Sequence, residues 1–329
     1  MSKLTVFGSA RVDGFLFLPD HMAEQVCRLD TQKCVIELSY SAKLPLNDSI
    51  FKTGGNGANV AVGVKRLGTE THLVAELGEG VLAEMAKKDL ANEIDMEYVS
   101  QTKGVNQGFG AVIVYKGERT ILSYYAPKRP PFPHDIPITD WAYLTSVGEN
   151  FEPFYEDVLK WLEGRETKLI FNPGGRQILK GKGWLEKFFR RTHLVMVNRE
   201  EAEEIVGMEK TKGKEKELLD AMCQLGPENV IVTDGPAGSY GKDKDGRYLK
   251  MGILPIDAIE RTGAGDSYST GVIAAFLQEK SFEEAMLWGT VNAASVIGYV
   301  GPEDGLLTDK QLPKWLERAT SVKLTAQEI

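Results

Sequence analysis

The chain has 329 residues, 42% hydrophobic and 26% charged, enough to bury a large core at the boundary between one big α/β domain and two domains. Its 39 Lys and Arg against 47 Asp and Glu give a net charge of −8, and no basic tract is long enough, or interleaved with enough aromatics, for a nucleic-acid surface. No apolar stretch approaches the roughly 20 residues of a membrane span. Cys27, Cys34 and Cys223 form an odd, sparse set without metal spacing, so free thiols in a reducing, cytoplasmic setting are expected, a Cys27–Cys34 pair being the alternative.

In chain order, Leu4-Thr5-Val6-Phe7-Gly8 reads as a strand running into a turn, unlike a signal peptide. Helical periodicity is weak over 14–53, where 35–40 and 50–53 look extended. Thr53-Gly54-Gly55-Asn56-Gly57-Ala58-Asn59 then runs into a helix over 60–67. A glycine turn opens that helix, and Asn56 and Asn59 offer amides to hydroxyl groups; a tight strand-to-helix turn capped by Asn explains the same residues. Periodicity weakens again over 104–133, where Phe109–Tyr115 and 119–125 flank Lys116-Gly117-Glu118 as a hairpin. The two weak segments together predict a small β-rich lid over 14–53 and 104–133, with a main α/β domain over 1–13, 54–103 and 134–329. Edge strands of the main sheet are the other reading of them.

From about 140, apolar runs at 143–147, 169–171, 194–197 and 230–232 alternate with amphipathic stretches that include 152–162, 200–206 and 214–225. This alternation predicts βαβ units and a mostly parallel, doubly wound sheet. Ligands bind beyond the carboxyl ends of such strands. Those ends carry Asn172-Pro173-Gly174, Asn198 and Thr233-Asp234-Gly235. The charge-rich segment 208–217 reads as a solvated loop.

The strongest chemical signal is Glu260-Arg261-Thr262-Gly263-Ala264-Gly265-Asp266, followed by a proline-free helix over 267–277. Gly263, Ala264 and Gly265 sit at a helix N-terminus, where unpaired N–H groups and the helix dipole favour an anion. Asp266 in the first turn can accept the proton of an attacking hydroxyl. It can equally be a helix-favouring Asp and nothing more. There is no GxxxxGK[ST] P-loop, and the four scattered histidines form no metal pattern.

The order of these pieces resembles the ribokinase-like (PfkB) family of carbohydrate and nucleoside kinases. The Gly-Gly-x-Gly-Ala-Asn and Thr-Gly-Ala-Gly-Asp elements are both present. Between them the family's Asn-x-x-Glu is matched by Asn198-Arg199-Glu200-Glu201, and its Thr-x-Gly-x-x-Gly by 233–238; Gly8 to Asp13 resembles its strand-end substrate aspartate. The resemblance covers nearly the whole chain. It implies an ATP-dependent kinase with Asp266 as base and Gly263, Ala264 and Gly265 as the anion hole. Asp13, Gly54, Gly55, Asn56 and Asn59 would bind the sugar or nucleoside. Asn198 and Glu201 would orient the water shell of a Mg²⁺–phosphate complex. Thr233, Gly235 and Gly238 would line the nucleotide, with Asn292 beside the adenine. A homodimer through the lid is a further expectation.

Two departures change the expectation. Glu260-Arg261-Thr262 stands where the family often has Asp-Thr-Thr, and that Asp helps bind a monovalent cation, so K⁺ activation is expected to be weak or absent. Arg11 and Asn56 replace the Asn and Lys of ribokinases proper, so ribose is not the expected substrate. A free sugar is favoured. A nucleoside is the second reading, with Phe15, Phe17, Phe109, Tyr124 and Tyr125 as candidates for a base pocket. A sugar phosphate held by Arg11, Lys128 or Arg129 is the third, and a non-catalytic binding regulator the fourth.

Overall fold

The structure is a computed structural model describing residues 2–28, 33–126 and 130–329. Among these residues a ten-stranded sheet runs, in spatial order, Gln327–Glu328, Tyr248–Met251, Ser239–Lys242, Asn229–Thr233, Thr192–Asn198, Lys168–Phe171, Trp141–Leu144, Leu4–Phe7, Thr71–Glu79 and Val99–Asn106. The strands from Asn229–Thr233 to Val99–Asn106 are parallel, and the three at the other edge are antiparallel. Leu4, Thr5, Val6 and Phe7 are all fully buried. Helices cover both faces of a parallel sheet, so its strands need no polar alternation. The helices Asn56–Arg66, Ala264–Leu277 and Phe282–Val296 contribute to the core on one face, and Glu152–Leu162 and Lys182–Phe189 to the core on the other.

Strand order reverses at Leu4–Phe7: from there the chain builds outward through Thr71–Glu79 on one side and through Trp141–Leu144 on the other. Such a switch point opens a crevice at the carboxyl ends, the usual ligand position in this architecture. The run expected at 143–147 forms a strand at Trp141–Leu144 instead. Val147 is apolar because it is packed into the helix-covered core at 3% exposure, not because it pairs in the sheet.

A second sheet of four strands has the order Asp48–Gly54, Arg11–Phe17, Phe109–Tyr115, Glu118–Tyr124. It is mixed: the central pair is parallel and the outer pairs antiparallel. Both Asp13 and Gly54 lie inside its strands. The hairpin Ala23–Arg28 with Lys33–Leu38 forms a separate two-stranded sheet.

That hairpin overturns the expectation of free thiols. Its register sets Cys27 directly opposite Cys34, and the two are joined as a disulfide. A seven-residue separation in sequence does not show two residues to be cross-strand neighbours; the pairing register does. Cys223 alone is a free thiol among the described residues, and burial pushes it up to about 11.

Candidate active site

The helix Ala264–Leu277 begins with Gly263 at φ 79°, a left-handed conformation that suits glycine. A Cβ there would also lie 2.5 Å from Pro302. Helix geometry leaves the first-turn N–H groups of Gly265 and Asp266 without an intrahelical acceptor, and Gly265 is exposed. Those of Ala264 and Ser267 are spent locally, on Arg261 O at 3.3 Å and Gly263 O at 2.8 Å. The N–H groups of the turn left without a local acceptor are therefore those of its later half.

Asp266 is clasped from the helix Asn56–Arg66. Asn56 Nδ2 donates to Asp266 Oδ1 at 2.9 Å, and Asn59 Nδ2 to Oδ2 at 2.7 Å. The two asparagines, read from sequence as holders of substrate hydroxyls, thus give one donor each to the carboxylate. Burial pushes the Asp266 carboxyl above its ordinary range, while the Asn59 and Asn56 hydrogen bonds and the charge of Arg11 pull it back. Ser146, which sequence reading missed, donates its hydroxyl to Asn56 Oδ1 at 2.9 Å and so orients the amide. Its position just beyond the strand Trp141–Leu144, beside the switch point, was the available signal.

Asp13 enters from the small sheet and is 2% exposed. Arg11, on the same face two residues earlier, brings Nε to 2.9 Å from Asp13 Oδ1. A Cβ on Gly110 of the neighbouring strand would lie 2.1 Å from that oxygen, so only glycine leaves Asp13 its place. Burial raises the Asp13 carboxyl; Arg11 pulls it down and Asp266 and Glu260 push it up. A Cβ at Gly54 would fall 3.2 Å from Asp13 Oδ2 and 3.5 Å from Asn59 Oδ1. Gly54, Asp13 and Asn59 therefore meet around one point. Asn59 Oδ1 there is buried with no hydrogen-bond partner, an acceptor suited to a hydroxyl. Gly55 caps the helix beside them at φ 103°.

Beside Arg11 lies a partly open crevice whose wall includes Glu76, Asn106, Tyr124, Tyr125 and Phe154. Of the proposed base-pocket aromatics, Tyr124 and Tyr125 thus line a crevice, while Phe15 is fully buried and Phe109 stacks on Phe51 at 6.4 Å. Lys128 and Arg129 lie outside the described residues.

Asn198 and Thr233 are register partners at the carboxyl ends of adjacent strands. Asn198 and Glu201 form a capping box on the helix Arg199–Val206, each side chain accepting from the other's backbone N–H. Burial pushes the Glu201 carboxyl up, and the charges of Glu200, Asp266 and Glu204 add to the rise. Glu201 is thus within electrostatic reach of Asp266. Gly235 and Gly238, at φ 49° and 91°, bracket the short turn after Thr233. Arg199, also missed from sequence, is 3% exposed and bridges Asp234 at 3.0 Å and Glu215 at 2.9 Å, bracing that turn.

Asn292 does not join the site. It is fully buried, donates to Ser267 O at 2.7 Å and accepts from Leu307 N at 3.0 Å. Its amide ties the helix Phe282–Val296 to its neighbours, which leaves it unable to face an adenine.

The chain is 24% identical to a ribokinase of Haemophilus influenzae over 81% of its length and 88% of the relative's. The fold superposes on Arabidopsis thaliana ribokinase complexed with ribose and ATP with a TM-score of 0.78 at 18% identity, covering 96% of this chain and 99% of that one. It superposes on a Burkholderia thailandensis nucleoside kinase in complex with inosine with a TM-score of 0.75 at 16% identity, covering 98% and 99%. Residues 46–309 match the pfkB family carbohydrate kinase, and with that match over most of its length the chain belongs to the pfkB family of carbohydrate kinases.

Proposed function

We propose that this chain transfers the γ-phosphate of ATP to a hydroxyl of a free sugar, with Asp266 as general base. The observation that carries the reading is the placement of Asp266 in the first turn of Ala264–Leu277, both oxygens held, beside the exposed residue Gly265. Each carboxylate oxygen has two lone pairs, so the clasp by Asn56 and Asn59 still leaves an acceptor for the substrate proton. Asp13 and the unpartnered Asn59 Oδ1 bind the hydroxyls of the acceptor around Gly54. The N–H groups of Gly265 and Asp266 stabilise charge on the transferred group. The nucleotide lies along Asn198, Thr233, Gly235 and Gly238. Asn198 and Glu201 fit a Mg²⁺ held through water and phosphate oxygens, since Mg²⁺ keeps several waters and takes few protein carboxylates. Such an ion supplies charge neutralisation at the phosphates.

A nucleoside acceptor is the second reading. The crevice walled by Tyr124, Tyr125 and Phe154, with Glu76 and Asn106 for polar contacts, favours it. A sugar phosphate has less in its support, because among the described candidates only Arg11 carries the charge and Asp13 already pairs with it. The face of the small sheet carrying Phe51, Phe109, Leu122 and Tyr124 is apolar, with Leu122 60% exposed. We assign this face to a second copy of the chain. Sedimentation of a monomer at micromolar concentration would overturn that assignment.

The experiment is ADP release from ATP against sugars, nucleosides and sugar phosphates, for the parent chain and Asp266→Asn. The variant is expected to lose about 10²–10⁴ in kcat, the weight of a general base, while still binding acceptor. Near-normal turnover in the variant excludes the mechanism. A tenfold preference for fructose 6-phosphate over every neutral acceptor excludes the substrate reading.

A further inference from the structure

The turn leading to Asp266 touches the lid through charge. Glu260 is 4% exposed and braces the turn: it accepts from Thr262 N at 2.7 Å and Thr262 Oγ1 at 2.6 Å. Its second oxygen is buried without a hydrogen-bond partner. A carboxylate so placed needs a cation. Arg119, on the lid strand Glu118–Tyr124, brings Nε to 3.9 Å from Glu260 Oε1. The next residue on each side repeats the contact with the signs exchanged, Arg261 Nη1 lying 3.4 Å from Glu118 Oε1. That outer pair is exposed at both ends, so solvent screens it to little value. The inner pair is the one with consequence, because Arg119 is half-buried and its loss would strand the buried Glu260 carboxylate.

A second link reaches the same turn from the opposite edge of the lid. Lys52, on the strand Asp48–Gly54, pairs with Asp304 at 2.7 Å, and its side chain packs on Gly301. Pro302 of that loop lies against Gly263. Both edge strands of the lid thus press on the turn that holds the first-turn N–H groups.

We infer that Arg119 is a positioning residue: with the lid down it pairs with Glu260, and through Thr262 it sets the Gly263–Gly265 turn in its anion-binding geometry. The inference rests on the kinase reading and adds to it a coupling. The acceptor binds Asp13 on the lid, so an acceptor in place fixes the lid, and the fixed lid completes the anion site. ATP without acceptor then meets an incomplete site and is spared hydrolysis.

The test uses the full chain with Arg119→Met, Arg119→Lys, Glu118→Ala and the Asp266→Asn reference. Steady-state kinetics with the best acceptor are compared with ATP hydrolysis in its absence, and melting curves check folding. Arg119→Met is expected to fold, to lose about tenfold in kcat, less than the roughly 10²–10³ of deleting an oxyanion donor, and to keep its KM for ATP within about threefold. Arg119→Lys, which keeps the charge, is expected to recover most of the loss, and Glu118→Ala to stay within about twofold of the parent. A kcat for Arg119→Met within threefold of the parent overturns the inference, as does equal loss in the Met and Lys variants. If Asp266→Asn is inactive while Arg119→Met keeps a kcat within threefold of the parent, the coupling fails and the kinase reading stands. If Asp266→Asn keeps its turnover, the kinase reading falls and the coupling falls with it.

Discussion

At the scale of single residues, three acidic groups share one small volume. Asp266 and Glu260 are close enough to Asp13 to raise its carboxyl, and Arg11 is the cation that pulls both Asp13 and Asp266 down. The Asp266 carboxyl sits above its ordinary range, chiefly through burial. A base must be ionised to work. Turnover should therefore fall as pH drops, and begin to fall at a higher pH than for an ordinary carboxylate. Arg11 holds Asp266 down, so removing its charge must move this acid limb further up. A pH–rate profile of Arg11→Leu against the parent checks this, and a limb unmoved or shifted downward is the contrary outcome. Arg11 also compensates the buried Asp13, so the same variant should lose stability, on the order of 3–5 kcal/mol if the pair acts as a fully buried one.

At the scale of elements, helix starts do much of the site's work, and the capping box Asn198/Glu201 allows two roles to be separated. Glu201→Gln keeps an oxygen able to accept from Asn198 N and loses the charge. Stability should change little, while the Mg²⁺ concentration for half-maximal rate rises. Glu201→Ala loses the cap as well and should cost a further ~1 kcal/mol in unfolding. An unchanged Mg²⁺ titration in Glu201→Gln would assign the pair to helix capping alone. The turn before Ala264–Leu277 gives a second prediction. Glu260 already faces the guanidinium of Arg119 and holds Thr262. Replacing Na⁺ by K⁺ at constant ionic strength should leave the rate within about twofold, since the Arg119 guanidinium already supplies the positive charge that a bound cation would bring there. A several-fold rise with K⁺ would contradict it.

At the scale of the whole molecule, a charge network joins the lid to the main body. Arg66, on the first helix, bonds Glu93 at 2.7 Å and Glu303 O at 2.7 Å, while Thr53 of the lid bonds Asp89. Glu303 lies within this network, and burial pushes its carboxyl up to about 8, with Arg66 opposing and Glu93, Asp89 and Asp304 adding. The folded chain thus holds this proton more tightly than the unfolded chain. Its contribution is full below the ordinary carboxylate value and is lost as pH rises from there through about 8. Glu303→Gln cannot ionise and escapes the loss. The melting temperature of the variant relative to the parent should rise between pH 5 and pH 9; a constant difference would place Glu303 in contact with water.

The alternation of apolar runs and amphipathic stretches after residue 140 was enough to give the parallel sheet, because strands buried on both faces must be apolar throughout and the helices covering them must be one-sided. The glycine turns before Asn56 and Asp266 were legible for a similar reason: a left-handed or crowded backbone position accepts little else. What those turns serve depends on partners far apart in the chain. Asn56 and Asn59 reach Asp266 across some two hundred residues, Ser146 reaches Asn56, and Arg119 reaches Glu260. Local periodicity carries no information on such pairs. The register that set Cys27 against Cys34 and the packing that closed Asn292 inside the core were hidden for the same reason. Sequence by itself determined the elements and the chemical types available at their ends. Which of those ends converge, and which polar side chains are consumed in holding the fold, was decided by the way the sheet, its helices and the lid pack together in space.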